Sequence, residues 1–505
     1  MWIIFLFVLI CSARHVYTDK LVTVQTTYGS VQGYETDSYR VFYGIPYAKA
    51  PIGALRWNKP EPIDKWAPST FDATKIPPAC PQPACNPGDI LCPSSMSEDC
   101  LRLNIFTPLG STLSQLLPVM IFIHGGNFQY GSASIMPYNG SRFVNTNNVI
   151  FVPIQYRLGI LGFLATGTGS GGLTGNYGLM DQELAINWIT LFGQSAGAQS
   201  TAIHYLRKDM QSLFQLAIIQ SCPAAIPFRT YTQYLPPIIL LAQQLGCLLG
   251  DISCLRTRPY ENIITAQNVI NSKITSLDIL QFFEPWVPVI DNVIVRGQLI
   301  DMYSSASFPL KPLITGTMAE EGLAYVHGVL NTPLSYPAYL LVGPILFGAK
   351  FPAILLRFPQ SPFTADMRPF LVKIVTQWVF ACPTRFLARN TAAYSYVFGY
   401  PLRTMGLTNA GDCEAHACHG YELPFLFQAF WSYFDNNDQY ISKTMATYWT
   451  NFAKSGNPNN PVKVPLTWPK LTSKSDKKEP SVRNDNNKIG SDDDVNVNCF
   501  NMSPV

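Results

Sequence analysis

The chain is expected to fold in the α/β class, with a mostly parallel central sheet and helices on both of its faces. Three stretches carry that expectation. Phe192-Gly193-Gln194-Ser195-Ala196-Gly197 reads as a short strand, a sharp turn bearing an exposed serine, and the start of a helix. Its glycines flank Ser195 where side chains would collide with the neighbouring strand and helix. Val119-Met120-Ile121-Phe122-Ile123 reads as a buried parallel strand running into His124-Gly125-Gly126-Asn127-Phe128. Such a glycine-rich turn aims backbone N–H groups at a developing oxyanion. Leu313-Ile314-Thr315-Gly316 reads as a further short strand, followed by Ala319-Glu320-Glu321-Gly322.

A serine hydroxyl is a poor nucleophile at neutral pH. It needs a base within hydrogen-bond reach and a third group that fixes the base's tautomer. Downstream of the acidic pair comes His416-Ala417-Cys418-His419-Gly420-Tyr421-Glu422-Leu423-Pro424, so nucleophile, acid and histidine follow one another in the order of a known hydrolytic constellation. Of the six histidines, His15 lies beside the N-terminal apolar stretch, His124 belongs to the glycine turn, and His204 falls on the helix expected after Ser195. His327, His416 and His419 remain, as do Glu320 and Glu321 for the acid.

Further motifs extend the pattern: Tyr43-Gly44-Ile45-Pro46-Tyr47-Ala48 with Leu55-Arg56-Trp57, and Ser97-Glu98-Asp99-Cys100-Leu101-Arg102-Leu103-Asn104-Ile105. Gln155-Tyr156-Arg157-Leu158-Gly159, Gly175-Asn176-Tyr177-Gly178-Leu179-Met180-Asp181-Gln182 and Tyr448-Trp449-Thr450-Asn451-Phe452-Ala453-Lys454-Ser455-Gly456-Asn457-Pro458 complete it. With these the chain resembles the type-B carboxylesterases and cholinesterases over almost its whole length. The resemblance implies an α/β-hydrolase fold with Ser195 as nucleophile, His419 as base, and Glu321, immediately before a glycine, as the acid. It implies an oxyanion hole of the backbone N–H groups of Gly126, Asn127 and Ala196. Asn127 stands where the family has glycine or alanine, but the donor is main chain and Asn tolerates unusual dihedrals. Gln194 stands where most of the family has Glu, and looks like a variant found among slime-mould members; it keeps the shape and removes a charge. Arg56 and Glu98 resemble the family's structural ion pair. Ile90 falls where cholinesterases carry the tryptophan that receives a quaternary ammonium, so the aromatic face that a cation wants is missing there. Phe282 to Asp291 align with the acyl-pocket region, where the aromatics either shape that pocket or pack the core.

Hydrophobic residues make up 47% of the 505 residues, charged ones 13%, and the net charge is +3. A large core is therefore available, and no nucleic-acid or acidic partner is indicated. No linker, repeat or charge run divides the chain ahead of its C-terminal stretch, so residues 14–505 are read as one domain. Residues 1–13, apolar from Trp2 to Ile10 and then Cys11-Ser12-Ala13, suit a secretory signal. No membrane anchor is expected, and the default location is secreted or in the lumen of a secretory vesicle. The resemblance implies disulfides Cys80–Cys100 and Cys247–Cys254, and pairs Cys382 with Cys499. Cys85 with Cys92 and Cys413 with Cys418 are local candidates that it does not supply, which leaves Cys222 free and buried. A zinc reading of the Cys80 to Cys100 cluster finds no nearby histidine and is set aside. Asn139 and Asn501 open glycosylation sequons.

One departure stands out. In the family, the helix opening near Asp181 is followed by a further turn and a Phe-Gly-Gly-Asp-Pro-like loop before the nucleophile strand. Here Ala185-Ile186-Asn187-Trp188-Ile189 runs straight into Thr190-Leu191-Phe192-Gly193. Either the helix unwinds to supply its own turn, or the chain is an incomplete version of a longer one. The sequence thus supports hydrolysis of a small-molecule carboxylic ester through an acyl-enzyme, with no metal or organic cofactor. The alternatives are a non-catalytic secreted member used for adhesion or storage, favoured by the shortened segment, and a peptidase on the same fold.

Overall fold

Runs such as Val119–Ile123 and Ile150–Ile154 are apolar at every position, which suits strands covered on both faces. The computed structural model, which describes residues 20–85, 89–111, 116–169, 171–186, 189–273, 283–403, 411–471, 480–482 and 489–491, places both at the centre of one sheet. Its strands are β1 (Lys20–Thr26), β2 (Gly29–Glu35), β3 (Tyr39–Pro46), β4 (Thr70–Asp72), β5 (Arg102–Pro108), β6 (Val119–Ile123) and β7 (Ile150–Ile154). They continue with β8 (Ile189–Gln194), β9 (Phe214–Gln220), β10 (Leu313–Met318), β11 (Tyr394–Phe398), β12 (Pro480–Val482) and β13 (Ile489–Ser491). The order across the sheet is β1-β2-β3-β5-β7-β6-β8-β9-β10-β11-β12-β13, with β4 beside β2. From β7 to β12 every neighbouring pair is parallel, whereas the pairs from β1 to β7 and the β12–β13 pair are antiparallel; β4 lies parallel to β2.

The pleat sends alternate residues to opposite faces. Along β6, Ile121 and Ile123 enter a cluster with Ala198, Ala202 and Tyr205 of the helix Ala196–Tyr205. Met120 and Phe122 enter another with Met445, Trp449 and Phe452 of the helix Asn436–Ser455. Helices therefore cover both faces, as expected. Asp435 caps the second helix in a reciprocal capping box with Asp438, and Gly456 closes it at φ 71°. Because β6 lies between β7 and β8, the winding direction reverses at β6, and the crevice beyond the carboxyl ends of β6 and β8 is where such sheets hold ligands.

The connection into β8 is short. The helix Tyr177–Ala185 stops at Ile186, which is extended, and β8 begins at Ile189. Asn187 and Trp188 lie outside the described residues. The sheet tolerates this, since β8 pairs with β6 through Met120 and Thr190 and with β9 through Thr190 and Leu216.

Disulfides join Cys80 to Cys100, Cys85 to Cys92, Cys247 to Cys254 and Cys413 to Cys418. Cys382 is also disulfide-bonded, and its expected partner Cys499 lies outside the described residues, as do residues 1–13 and Asn501. Cys222 is free and buried, with its thiol pKa pushed up by that burial. Asn139 is exposed, and its side-chain oxygen accepts from Ser141 N at 3.0 Å. Two helical stretches, Tyr336–Arg357 and Arg368–Thr391, are long and apolar enough to cross a membrane by length and composition alone.

Candidate active site

The strand-turn-helix around Ser195 is forced by close packing. Ser195 itself sits at φ 59°, ψ −126°, a conformation L-residues rarely adopt. A Cβ on Gly193 would lie 2.3 Å from Gly197 O, and one on Gly197 would lie 2.0 Å from Ile123 O. Only glycine permits β8, its helix and the end of β6 to approach so closely. The backbone N–H of Ser195 donates to Gln220 O at 3.0 Å, which ties the turn to β9.

Beside it, the loop after β6 turns through Gly126 at φ 111°, Asn127 at φ 55° and Phe128 at φ 57°. Asn127 thus does occupy the left-handed region. Gly125, Gly126 and Asn127 line a cavity of about 350 Å³ together with Gln194, Ser195, Tyr325 and His419. Ala196 is fully buried at the start of the helix behind Ser195. Under this loop, His124 is buried and stacked on Tyr156 with ring centroids 4.7 Å apart, its pKa pushed down to about 4 by burial. It is a pillar of the loop, not a base.

Glu321 follows β10 at the same end of the sheet. It is fully buried, and its Oε1 accepts from Met318 N at 2.7 Å. Its Oε2 lies 2.5 Å from His419 Nδ1, so that nitrogen carries the proton and leaves Nε2 as the basic one. The histidine loop is held from both sides: the Cys413–Cys418 disulfide closes it, and Glu320 and Cys418 form a parallel bridge. The ring packs against Phe380 at 5.1 Å and Tyr325 at 5.4 Å. The acidic neighbours separate cleanly, because Glu320 faces the exposed His416 at 2.9 Å while Glu321 faces His419. His327 faces Asp412 at 3.2 Å, and His204, buried beside Gln182 at 3.0 Å, has its pKa pushed down to about 3 by burial and then by Arg207.

Some features were not legible in the motifs. His419 Nε2 lies 3.2 Å from the side-chain nitrogen of Gln194, and Tyr325 lines the cavity together with Ser195. Tyr325 stands one helical turn beyond Glu321, a spacing that helical periodicity could have flagged. Two buried carboxyls flank the site. Burial pushes Glu284 up to about 8; its Oε2 accepts from Gln199 at 3.0 Å, and its Oε1 has no partner among the described residues. Glu422 is also pushed up to about 8, by burial and then by the charge of Glu321. Among the described residues no group of three or more His, Cys, Asp or Glu is placed to hold a metal.

The remaining expectations fall as follows. Arg56 Nε donates to Glu98 Oε1 at 2.7 Å in a buried pair well away from Ser195's cavity lining. Ile90 lines the cavity. Trp286 is core: it is fully buried and donates to Asn271 at 2.8 Å. Phe283 instead packs edge-on against Tyr325 at 5.3 Å, one layer behind the cavity wall; Phe282 lies outside the described residues.

A mostly parallel sheet with a serine elbow at its switch point, a glycine-rich turn beside it, and a carboxylate and histidine on later loops is the α/β-hydrolase fold. Within that class, the chain belongs to the carboxylesterase family, whose pattern matches residues 20–337 and 349–497. It is 33% identical to the crystal protein of Dictyostelium discoideum, over 87% of this chain and 83% of that one. It is 32% identical to an acetylcholinesterase of Bungarus fasciatus, over 89% of this chain and 81% of that one. It is 29% identical to human neuroligin-2, over 88% of this chain and 61% of that one. One of these names states a reaction and two do not, so membership by itself leaves activity to be argued from the site.

Proposed function

We propose that the protein hydrolyses carboxylic esters of small molecules through an acyl-enzyme. The observation that carries this reading is that Ser195, on its strained turn, and His419 line one cavity, with His419 Nδ1 held 2.5 Å from buried Glu321. Ser195 Oγ attacks the ester carbonyl while His419 Nε2 takes its proton. Glu321 keeps the imidazole in the required tautomer and stabilises its charged form. The backbone N–H groups of Gly126, Asn127 and Ala196 receive the oxyanion, His419 protonates the departing alcohol, and water activated by His419 releases the acid. No metal or organic cofactor takes part. Ile90 at the cavity favours neutral esters over choline esters.

The disulfides, together with the N-terminal apolar stretch, support a secreted or secretory-lumen location, with Asn139 as an accessible glycosylation site. A second reading, a family member without turnover, draws on His419 Nε2 facing Gln194. Labelling with a fluorophosphonate probe separates the two. Covalent labelling that Ser195→Ala abolishes is expected of the esterase; an unlabelled, folded protein supports the second reading.

A further inference from the structure

The acid and the histidine of the site stand on different kinds of backbone. Glu321 follows the strand β10, and the chain around it is held at three points. Ala319 N donates to Phe398 O at 2.9 Å, Met318 N to the Glu321 side chain at 2.7 Å, and Gly322 N to Thr376 Oγ1 at 3.0 Å. His419 instead stands in a stretch, residues 414–420, that contains neither helix nor strand beyond a single bridge residue. Ala415 there takes φ 64°, His416 N turns back on Cys413 O at 3.1 Å, and Tyr421 N on Cys418 O at 3.1 Å. Consecutive turns of this kind carry no repeating ladder of hydrogen bonds to set the place of a side chain. The histidine therefore depends on contacts that tie its loop to the end of β10.

Glu320, the neighbour of the catalytic acid, supplies them. Its Oε2 accepts from Ala417 N at 3.0 Å, its Oε1 lies 2.9 Å from His416 Nδ1, and its own N donates to Ala417 O at 3.2 Å. Ala417 is 2% exposed, so water is poorly placed to replace the carboxylate as acceptor for that N–H. Cys418, the next residue, is bonded to Cys413, which closes the loop behind the contact. Further along the same two segments, His327 faces Asp412 at 3.2 Å. An exposed ion pair contributes little by itself, and the Glu320 and His416 side chains are 38% and 46% exposed. The contact that matters is the one to the main chain of Ala417.

These contacts close a ring. Glu320 and Glu321 are joined by one peptide bond, and Ala417 and His419 are separated by one residue. One carboxylate holds Ala417 and the other holds His419, so the acid and the histidine cannot slide past each other while Glu320 keeps its grip. We infer that Glu320 is a positioning residue: through Ala417 N–H, with its carboxylate steadied by His416, it keeps His419 Nδ1 on Glu321 and so holds the imidazole at the Ser195 cavity. The consequence for turnover rests on the esterase reading, whereas the grip on the histidine does not.

The test compares four variants of the full chain. Glu320→Ala removes both side-chain contacts, and Glu320→Ser, too short to reach Ala417 N–H, repeats the loss with a polar group. Because a misplacement of about 1 Å can cost a hundredfold in rate, both should lower kcat for a short p-nitrophenyl ester by about ten- to a hundredfold, with KM and the circular dichroism spectrum unchanged. Glu320→Gln should restore most of kcat, since its amide oxygen still accepts from Ala417 N–H. His416→Ala should keep the wild-type kcat, since the Ala417 contact remains. A second readout needs no turnover: the downfield proton resonance of His419 Nδ1–H against Glu321, expected in wild type and Glu320→Gln and lost to exchange in Glu320→Ala and Glu320→Ser. A wild-type kcat in the alanine and serine variants, a loss carried by KM alone, a glutamine variant as slow as the alanine one, or an Nδ1 resonance that persists without the Glu320 side chain overturns the proposal. A wild type that turns over no ester, with the resonance lost in the alanine and serine variants alone, would count against the esterase reading and leave the positioning role standing.

Discussion

His419 Nε2 lies 3.2 Å from the side-chain nitrogen of Gln194, the residue that immediately precedes Ser195. The basic nitrogen therefore accepts from a neutral amide in the resting site, with Ser195 lining the same cavity. For catalysis, the imidazole Nε2 must exchange Gln194 for Ser195 while Nδ1 stays held at Glu321.

Gln194→Glu would put a carboxylate where the amide stands. An opposite charge within hydrogen-bond reach raises a histidine pKa by about 1 to 3 units. His419 acts as a base only when neutral, so the acid limb of the kcat/KM profile should move to higher pH by that amount. The pH-rate profile of the variant with a short p-nitrophenyl ester checks this; an unmoved acid limb would place the amide contact outside the working site.

Ser195→Ala should lower turnover of the same ester by about a million-fold, as for other triad nucleophiles. Replacing His419 should be comparably damaging. His416→Ala should not, because His416 is exposed and engages Glu320, which is not the residue facing His419. Equal rates for wild type and Ser195→Ala would end the esterase assignment.

Choline esters should show no advantage over neutral esters of similar size. A desolvated cation against an aromatic face gains about 2 kcal/mol, close to thirtyfold in binding, and Ile90 supplies no such face. Competition between acetylcholine and its uncharged carbon isostere measures the ratio; a thirtyfold preference for acetylcholine would refute the placement of Ile90.

Glu284 gives stability a pH dependence of definite sign. Its carboxyl titrates near 4.5 ordinarily and at about 8 when buried here. Between those values the unfolded chain has lost the proton that the folded chain keeps. Stability therefore falls as pH rises through this window, by up to about 1.4 kcal/mol per pH unit. Glu284→Gln removes that slope, so its urea midpoint should exceed the wild type's at pH 8 and approach it at pH 5. A variant that loses stability equally at both values would show that the carboxyl is ionised in the folded state.

Much of this molecule was legible from local chemistry. The Gly193 and Gly197 positions, the apolar run into Gly125-Gly126-Asn127, and Cys413 close to Cys418 are short-range patterns, where neighbours along the chain dictate geometry. The sequence by itself determined the fold class and the two-sided covering of the sheet, while the choice of Glu321 over Glu320 and of His419 over His416 came only from its resemblance to a family. What it left open were contacts between residues far apart in the chain whose identity depends on ångström-scale packing. Only the tertiary structure decided that Gln194 faces His419 across a separation of 225 positions, that Tyr325 lines the Ser195 cavity, and that Glu284 is enclosed with an oxygen unanswered among the described residues. It also decided that the helix before β8 ends at Ala185, and that the apolar segment after Glu321 is turned outward. Periodicity tells which residues prefer to leave water; how many of them find a partner is settled by the surface the rest of the chain has room to offer.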